Sequence, residues 1–327
     1  MSFSKDQIPS EDELEQYFAN IAHARGVPPL YQEFRSEKTQ SDGIEIHMDI
    51  YEVGKEAPTV IFIPGTAVYA MCFVEILQKI GQAGYNVIGF DPRGHGRSGG
   101  IRGDYTITEL IRDTQEVIDY AKNRFGGNIS LFGSSQGGIV AFYTAALEEE
   151  RIQSAICQNI ADLTRTDTIK LVRFPGLTKA IKPVLMTFSR LFPNADVPIL
   201  SYLDLEKEKL RYFGDFKKFM KQDPLTNHTV KLKVLKSLMD TELPKPIEEI
   251  RAPLMVVQGN KDLIFPVSYT KKLYERLTCP KRLEIFKGLT HSMLVENVDT
   301  VAPPILEWLN SVHAPRNERA SQDGIGG

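Results

Sequence analysis

Leu131-Phe132-Gly133-Ser134-Ser135-Gln136-Gly137-Gly138 decides how this chain is read. An apolar run ends in Gly-x-Ser-x-Gly, and Ile139 to Leu147 continue at once as a helix-like stretch. That order fits a nucleophile elbow, a sharp strand-to-helix turn that lifts one serine to the top of a sheet. Glycines at 133 and 137 suit such a turn, because backbone segments approach closely there and the serine takes strained φ/ψ angles. Ser135 would then expose its Oγ, with the Gln136 amide pointing where an oxyanion forms.

A serine nucleophile needs a base, and the base needs an acid to orient it. With an elbow they follow in the chain order Ser, Asp or Glu, His, each on a loop after a strand. Pro253 to Gln258 reads as a buried strand, and Gly259-Asn260-Lys261 makes a turn that leaves Asp262 at its end. Arg282 to Phe286 reads as another strand, followed by Gly288-Leu289-Thr290-His291. Five other histidines compete with His291 for the base. His23 lies in a polar N-terminal segment, His47 alternates within a strand, and His95 sits in a glycine-rich loop. His228 falls in a polar helical stretch and His313 at a frayed C-terminus. Asp162 is the rival acid, but no tight turn precedes it. Thr59 to Ile63 is a β-branched strand followed by Pro64-Gly65-Thr66, so the Thr66 amide is the second candidate oxyanion donor beside that of Gln136.

On Gly133 to Gly138, Asp91-Pro92-Arg93-Gly94-His95-Gly96-Arg97-Ser98, Gly259 to Asp262 and Gly288 to His291, the chain resembles the α/β-hydrolase superfamily. Within it the likeness is to the branch of monoacylglycerol lipases and lysophospholipases, with related serine aminopeptidase-like sequences, over about residues 45 to 312. The resemblance implies an α/β-hydrolase fold: a mostly parallel eight-stranded sheet flanked by helices, with a helical cap inserted. It also implies no cofactor. One departure is visible. That branch usually has His-Gly after the third strand, where this chain has Pro64-Gly65, so the turn glycine is kept and the histidine ring's hydrogen bond is lost.

Composition agrees. A chain of 327 residues, 42% apolar and 25% charged, can bury one large core plus an inserted subdomain. A net charge of −3 argues against a nucleic-acid-binding domain. Cys72, Cys157 and Cys279 are odd in number and widely spaced, which suits reduced thiols, and no metal-ligand spacing occurs. The N-terminus lacks the basic and apolar regions of a signal peptide, and no run reaches the roughly 18 apolar residues of a spanning helix. Together these point to the cytoplasm.

Strands and helices alternate as a mostly parallel sheet demands. Residues 1–30 read as a helical extension packing outside the core, 31–161 and 249–313 as the two parts of the hydrolase core, and 314–327 as a disordered tail. Ile44 to Val53 reads as an antiparallel edge strand, Val68 to Gln82 as a helix, and Asn86 to Phe90, Asn128 to Phe132 and Ile152 to Ile160 as strands. Thr106-Ile107-Thr108-Glu109 reads as a capping box. Gly94 to Gly99 matches Gly-x-Gly-x-x-Gly, but three residues part it from the strand, Gly99-Gly100 forbids a helix there, and Asp119 falls inside a helix. A supporting loop, in which Asp91, Arg93, His95 and Arg97 bond one another, reads better than a dinucleotide site.

Residues 162–248 read as a helical cap broken by prolines, with an apolar first half. It carries 16 Lys and Arg against 11 Asp and Glu, hence +5, which leaves −8 for the rest. Its apolar residues are either the cap's own core or an acyl channel whose rim rests on a membrane or micelle surface. The function expected is a serine ester hydrolase acting on small-molecule acyl esters or lipids such as monoacylglycerol or lysophospholipid. Aminopeptidase-like or thioesterase activity and a non-catalytic scaffold are the alternatives. An aminopeptidase would need an acidic anchor for the substrate amine near the cap.

Overall fold

β-branched and aliphatic runs bury both faces of a strand, and such runs form the centre of this molecule. A computed structural model describes residues 8–314, so the expected tail from residue 315 lies outside the described residues. Eight strands make one sheet: β1 Arg35–Ser41, β2 Ile44–Tyr51, β3 Thr59–Ile63, β4 Asn86–Asp91, β5 Ile129–Ser134, β6 Ser154–Gln158, and, after the short antiparallel pair β7 Asp196–Pro198 and β8 Thr229–Lys231, β9 Leu254–Gly259 and β10 Lys281–Phe286. Their order is β1-β2-β4-β3-β5-β6-β9-β10. β2 runs antiparallel to both neighbours and every other pair is parallel. The helices are α1 Glu11–Arg25, α2 Val74–Gln82, α3 Ile107–Phe125, α4 Gln136–Leu147, α5 Pro175–Leu191, α6 Phe216–Gln222, α7 Leu232–Asp240, α8 Val267–Arg276, α9 Met293–Glu296 and α10 Val298–His313.

The strand order places the site. From β3 the chain steps to β4 on one side and then returns to β5 on the other, so the loops after β3 and β5 part at a switch point. Open α/β sheets leave a crevice there, at the carboxyl ends of the strands. Ile63 pairs with Gly133, which sets the Pro64-Gly65-Thr66 turn beside the Ser135 turn. Phe62 meets Phe132 edge-on at 5.2 Å beneath them, and Phe73 packs on Phe62 at 4.8 Å.

Several expectations are corrected. The antiparallel edge strand is β1, and the strand expected in that place is the buried β2 beside it. Arg-Ser-Glu-Lys-Thr-Gln-Ser has no apolar alternation, yet charge along an exposed edge discourages pairing with another chain. The helix expected from Val68 begins at Val74, after a 3₁₀ turn over Ala70–Phe73. Thr106 caps α3 by accepting from the Glu109 amide, but the Glu109 carboxylate takes the Thr106 hydroxyl, so the box is not reciprocal. His228 lies on the turn before β8, outside any helix, and His313 bonds Ser130 at 2.8 Å as the last residue of α10. The 91–98 loop is held in part as expected, His95 Nδ1 bonding the Arg93 carbonyl at 3.0 Å and Asp91 Oδ2 taking the Arg97 amide at 2.8 Å, but its arginine side chains bond outward. Arg93 forks onto Asp113 of α3, Arg97 reaches Asp49 of β2, and the Asp91 carboxylate accepts from the Ala70 and Arg97 amides.

The largest correction concerns α1. Leu14, Tyr17, Phe18 and Ala22 are buried, and Leu14, Tyr17 and Phe18 belong to the main core; Phe18 packs against Tyr31 and Tyr69 at 5.6 and 6.2 Å. The helix is therefore a wall of the molecule and not an external extension. Between β6 and β9, residues 162–248 supply α5, α6, α7 and the β7–β8 pair.

Candidate active site

Ser135 stands between β5 and α4 with φ 56° and ψ −118°, a strained conformation for a residue with a Cβ. The flanking glycines make room for that turn. A Cβ at Gly133 would lie 2.0 Å from the Gly137 carbonyl oxygen, and one at Gly137 would lie 2.1 Å from that of Ile63. The Ser134 hydroxyl is already spent, donating to Gln158 at 2.6 Å, whereas Ser135 Oγ makes no hydrogen bond among the described residues.

Asp262, after β9, and His291, after β10, meet at 2.8 Å through Oδ2 and Nδ1. The carboxylate is almost wholly covered, at 1% side-chain exposure. Oδ2 also accepts from Asn159, and Oδ1 accepts from the Ile264 and Phe265 amides. Burial would push this carboxyl up, but the His291 charge, its hydrogen bond and the two amides hold it below its ordinary 3.8. Burial likewise favours a neutral imidazole, yet the Asp262 charge and hydrogen bond, with Glu208 nearby, hold His291 above its ordinary 6.5. Phe265 stacks parallel to the ring, centroids 6.0 Å apart. Gln158 donates to the His291 carbonyl at 2.6 Å, so one side chain ties the serine turn to the histidine loop. The rival acid Asp162 makes no hydrogen bond to His291 among the described residues, and its Oδ1 accepts from Thr164.

The Gln136 amide opens α4 and so belongs to the unpaired N–H groups of a helix start. Among the described residues neither it nor the Thr66 amide has a backbone acceptor. Side chains replace the support that a histidine after β3 would give. Thr66 Oγ1 donates to Gln136 Oε1 and Tyr105 donates to the same oxygen at 3.3 Å, while the Asn227 backbone N–H holds the Ala67 carbonyl at 2.9 Å. His95 packs on Tyr105 at 4.6 Å, so the 91–98 loop supports the elbow through that tyrosine.

Two residues of the 162–248 segment enter the site without any sequence signal. Glu208 Oε2 accepts from Thr290 Oγ1 at 2.7 Å, the Ser292 amide at 3.2 Å and Ser292 Oγ at 2.9 Å, clasping His291 from both sides. In sequence it sits in Glu206-Lys207-Glu208-Lys209, which reads as a solvated charge run. Asp223 is buried, with Oδ2 taking the Tyr17 and Tyr69 hydroxyls, each at 2.7 Å, and Oδ1 taking the Leu225 and Thr226 amides. It joins α1, the loop after β3 and the 162–248 segment at one point.

Two cavities of about 1290 and 1600 Å³, mouths included, meet over Ser135, and Thr66, Ser135 and Leu203 line both. The first runs beneath α1 and α6 and is bordered by His291. The second runs beneath α5, past Gln136, Ile139 and Phe265. Of the apolar first half of the segment, Leu171, Val172, Leu177, Ile181 and Leu185 line the second cavity, whereas Val184 and Leu191 face outward at 70% and 69% exposure.

This sheet order, with a serine elbow after β5 and the acid and histidine after β9 and β10, defines an α/β-hydrolase fold. The serine aminopeptidase, S33, family matches residues 54–298, and the chain belongs to that family. A monoacylglycerol lipase of Mycolicibacterium smegmatis is 26% identical over 278 residues, 82% of this chain and 94% of its own length. Among solved structures, a monoacylglycerol lipase of Paleococcus ferrophilus superposes with a TM-score of 0.62 at 22% identity, over 86% of this chain and 99% of that one. A soluble variant of the Saccharomyces cerevisiae monoglyceride lipase gives 0.67 at 18%, over 86% and 96%. The chain is thus a hydrolase of the branch that holds the monoacylglycerol lipases. No helix among the described residues is long and apolar enough to cross a membrane.

Proposed function

We propose that the protein is a serine ester hydrolase that cleaves acyl esters, the class that includes monoacylglycerols and lysophospholipids. The observation that carries this is the juxtaposition of Ser135 at a strained elbow with His291, whose Nδ1 is held by Asp262 at 2.8 Å, along one apolar cavity. His291 Nε2 takes the proton of Ser135 as Oγ attacks the acyl carbon, and Asp262 fixes the ring's tautomer. The Thr66 and Gln136 amides receive the oxyanion, a contribution of roughly 3 to 4 kcal/mol per donor in comparable sites. His291 then protonates the leaving alcohol, and a water activated by the same ring releases the acid. In apo sites the Ser–His bond is commonly long and tightens with substrate, which fits the unbonded Ser135 Oγ.

Residues 162–248 act as a cap. The outward apolar residues of α5, interleaved with Lys179, Lys182 and Arg190, rest on a lipid surface from which substrate enters. Aminopeptidase action is disfavoured by the buried carboxylates of this segment, because Asp223 already takes four donors and Glu208, which holds the histidine loop, lines neither cavity. A fluorophosphonate probe tests the proposal. It should label the wild-type chain and leave Ser135→Ala unlabelled, and equal labelling of both would end it.

A further inference from the structure

We infer that the preferred substrate is an ester apolar on both sides of the scissile bond, its hydrophobic alcohol limb seated in the cavity that α1 closes. The inference rests on the serine-hydrolase reading and names the substrate class of that same site. In such a reaction the Ser135 Oγ–acyl bond forms as the acyl–alkoxide bond breaks, and His291 passes the serine proton to the departing alkoxide. Water then adds to the acyl carbon, returning a proton to Ser135 through His291 and leaving a free acid. The alcohol must therefore lie beside His291, and His291 borders the cavity beneath α1. The acyl limb takes the cavity beneath α5, past the oxyanion donor Gln136.

A glycerol limb carries two free hydroxyls that need partners. Most of the polar atoms around the first cavity already have theirs. Asp223 accepts four hydrogen bonds, and Tyr69 donates to it. Arg25 is held by Glu75, Glu296 and the Val295 carbonyl. Ser292 Oγ donates to Glu208 and Thr66 Oγ1 to Gln136. Apart from the Tyr31 hydroxyl and the Cys72 thiol, the rest of the wall is largely hydrocarbon, including Phe18, Ile21 and Ala22 of α1 with Met71, Leu210 and Phe213. A hydroxyl buried there without a partner weakens binding by about tenfold or more, while each buried methylene strengthens it by up to about fourfold. α1, which supplies Phe18, Ile21 and Ala22 to this wall, precedes the 54–298 stretch matched by the family.

The test holds the acyl group constant and varies the alcohol, using the full chain and sub-micellar methyl, butyl and hexyl butanoate with monobutyrin. kcat/KM should climb at least tenfold from methyl to hexyl, and monobutyrin should fall below butyl butanoate. A flat alkyl series with monobutyrin preferred would overturn the inference. Ala22→Phe fills the limb from α1 and should bring the hexyl-to-methyl ratio near one, and Ile21→Trp does the same from a half-buried position where a larger ring is easier to fold. Leu185→Trp, in the other cavity, should instead shorten the acyl chain accepted in an ethyl ester series. If the α1 variants change acyl preference and Leu185→Trp changes alcohol preference, the limbs are assigned wrongly and the inference fails. Methyl butanoate turnover that persists in Ser135→Ala would instead sink the serine-hydrolase reading, and this inference with it.

Discussion

Replacing Glu208 separates the grip of the 162–248 segment on the histidine loop from its charge. Three donors from Thr290 and Ser292 converge on one carboxylate oxygen, at 2.7, 3.2 and 2.9 Å. Hydrogen bonds to a charged acceptor contribute about 1.5 to 3 kcal/mol each, but these share one oxygen and are partly open to water, so Glu208→Ala should cost about 2 to 4 kcal/mol in total. Glu208→Gln keeps an acceptor and removes only the charge. That charge helps hold His291 above 6.5 alongside the larger influence of Asp262. The sign follows directly. A nearby anion favours imidazolium, the imidazolium cannot accept the serine proton, and so kcat/KM falls as pH drops through the raised histidine value. Removing the anion lets the ring stay neutral to lower pH. In kcat/KM for p-nitrophenyl butyrate measured from pH 5 to 9, the wild-type acid limb should have its midpoint above 6.5. Glu208→Gln should move that midpoint down, and Glu208→Ala should lower the plateau about tenfold or more as the loop loosens. An acid limb in Glu208→Gln that superposes on wild type would refute the charge coupling.

Other outcomes can be checked with the same assays. Asp262→Asn should reduce kcat by about three to four orders of magnitude through the wrong imidazole tautomer, and Asp162→Asn should not; the reverse ranking would move the acid. Ser135→Gly should be more stable than Ser135→Ala by about 0.5 to 2 kcal/mol in denaturant titrations, because relief of the positive φ exceeds the added chain entropy; equal midpoints would mean the turn is not strained. Gly137→Ala, whose Cβ would fall 2.1 Å from a backbone oxygen, should not give soluble folded protein. Across acetate, butyrate and octanoate esters of one alcohol, kcat/KM should rise until the cavity beneath α5 is filled, and a steady decline from acetate would show that its apolar lining serves only the fold.

Ser135, Asp262, His291 and the turns carrying Thr66 and Gln136 were legible in the sequence because each sits on a short signal that physics keeps local. A strand must be apolar to be buried, a tight turn must have glycine, and the chemistry admits few side chains. Those constraints act over six or eight consecutive residues, so they survive without any knowledge of neighbours. β1 escaped because an exposed edge is under no pressure to alternate. The helix of α1 was expected but its place in the core was not, because its apolar positions, Leu14, Tyr17, Phe18 and Ala22, give no clue to which surface they meet. Glu208 and Asp223 look in sequence like ordinary surface carboxylates. They become buried acceptors only once segments more than 80 and 150 residues apart, at Thr290 and Tyr69, bring their donors to them. The nature of the pocket is likewise a property of the assembled chain, since its walls come from α1, the loop after β3, the histidine loop and the 162–248 segment. Polar atoms that pair with one another across those walls leave hydrocarbon facing the substrate, and only the packing of distant segments decides which atoms pair.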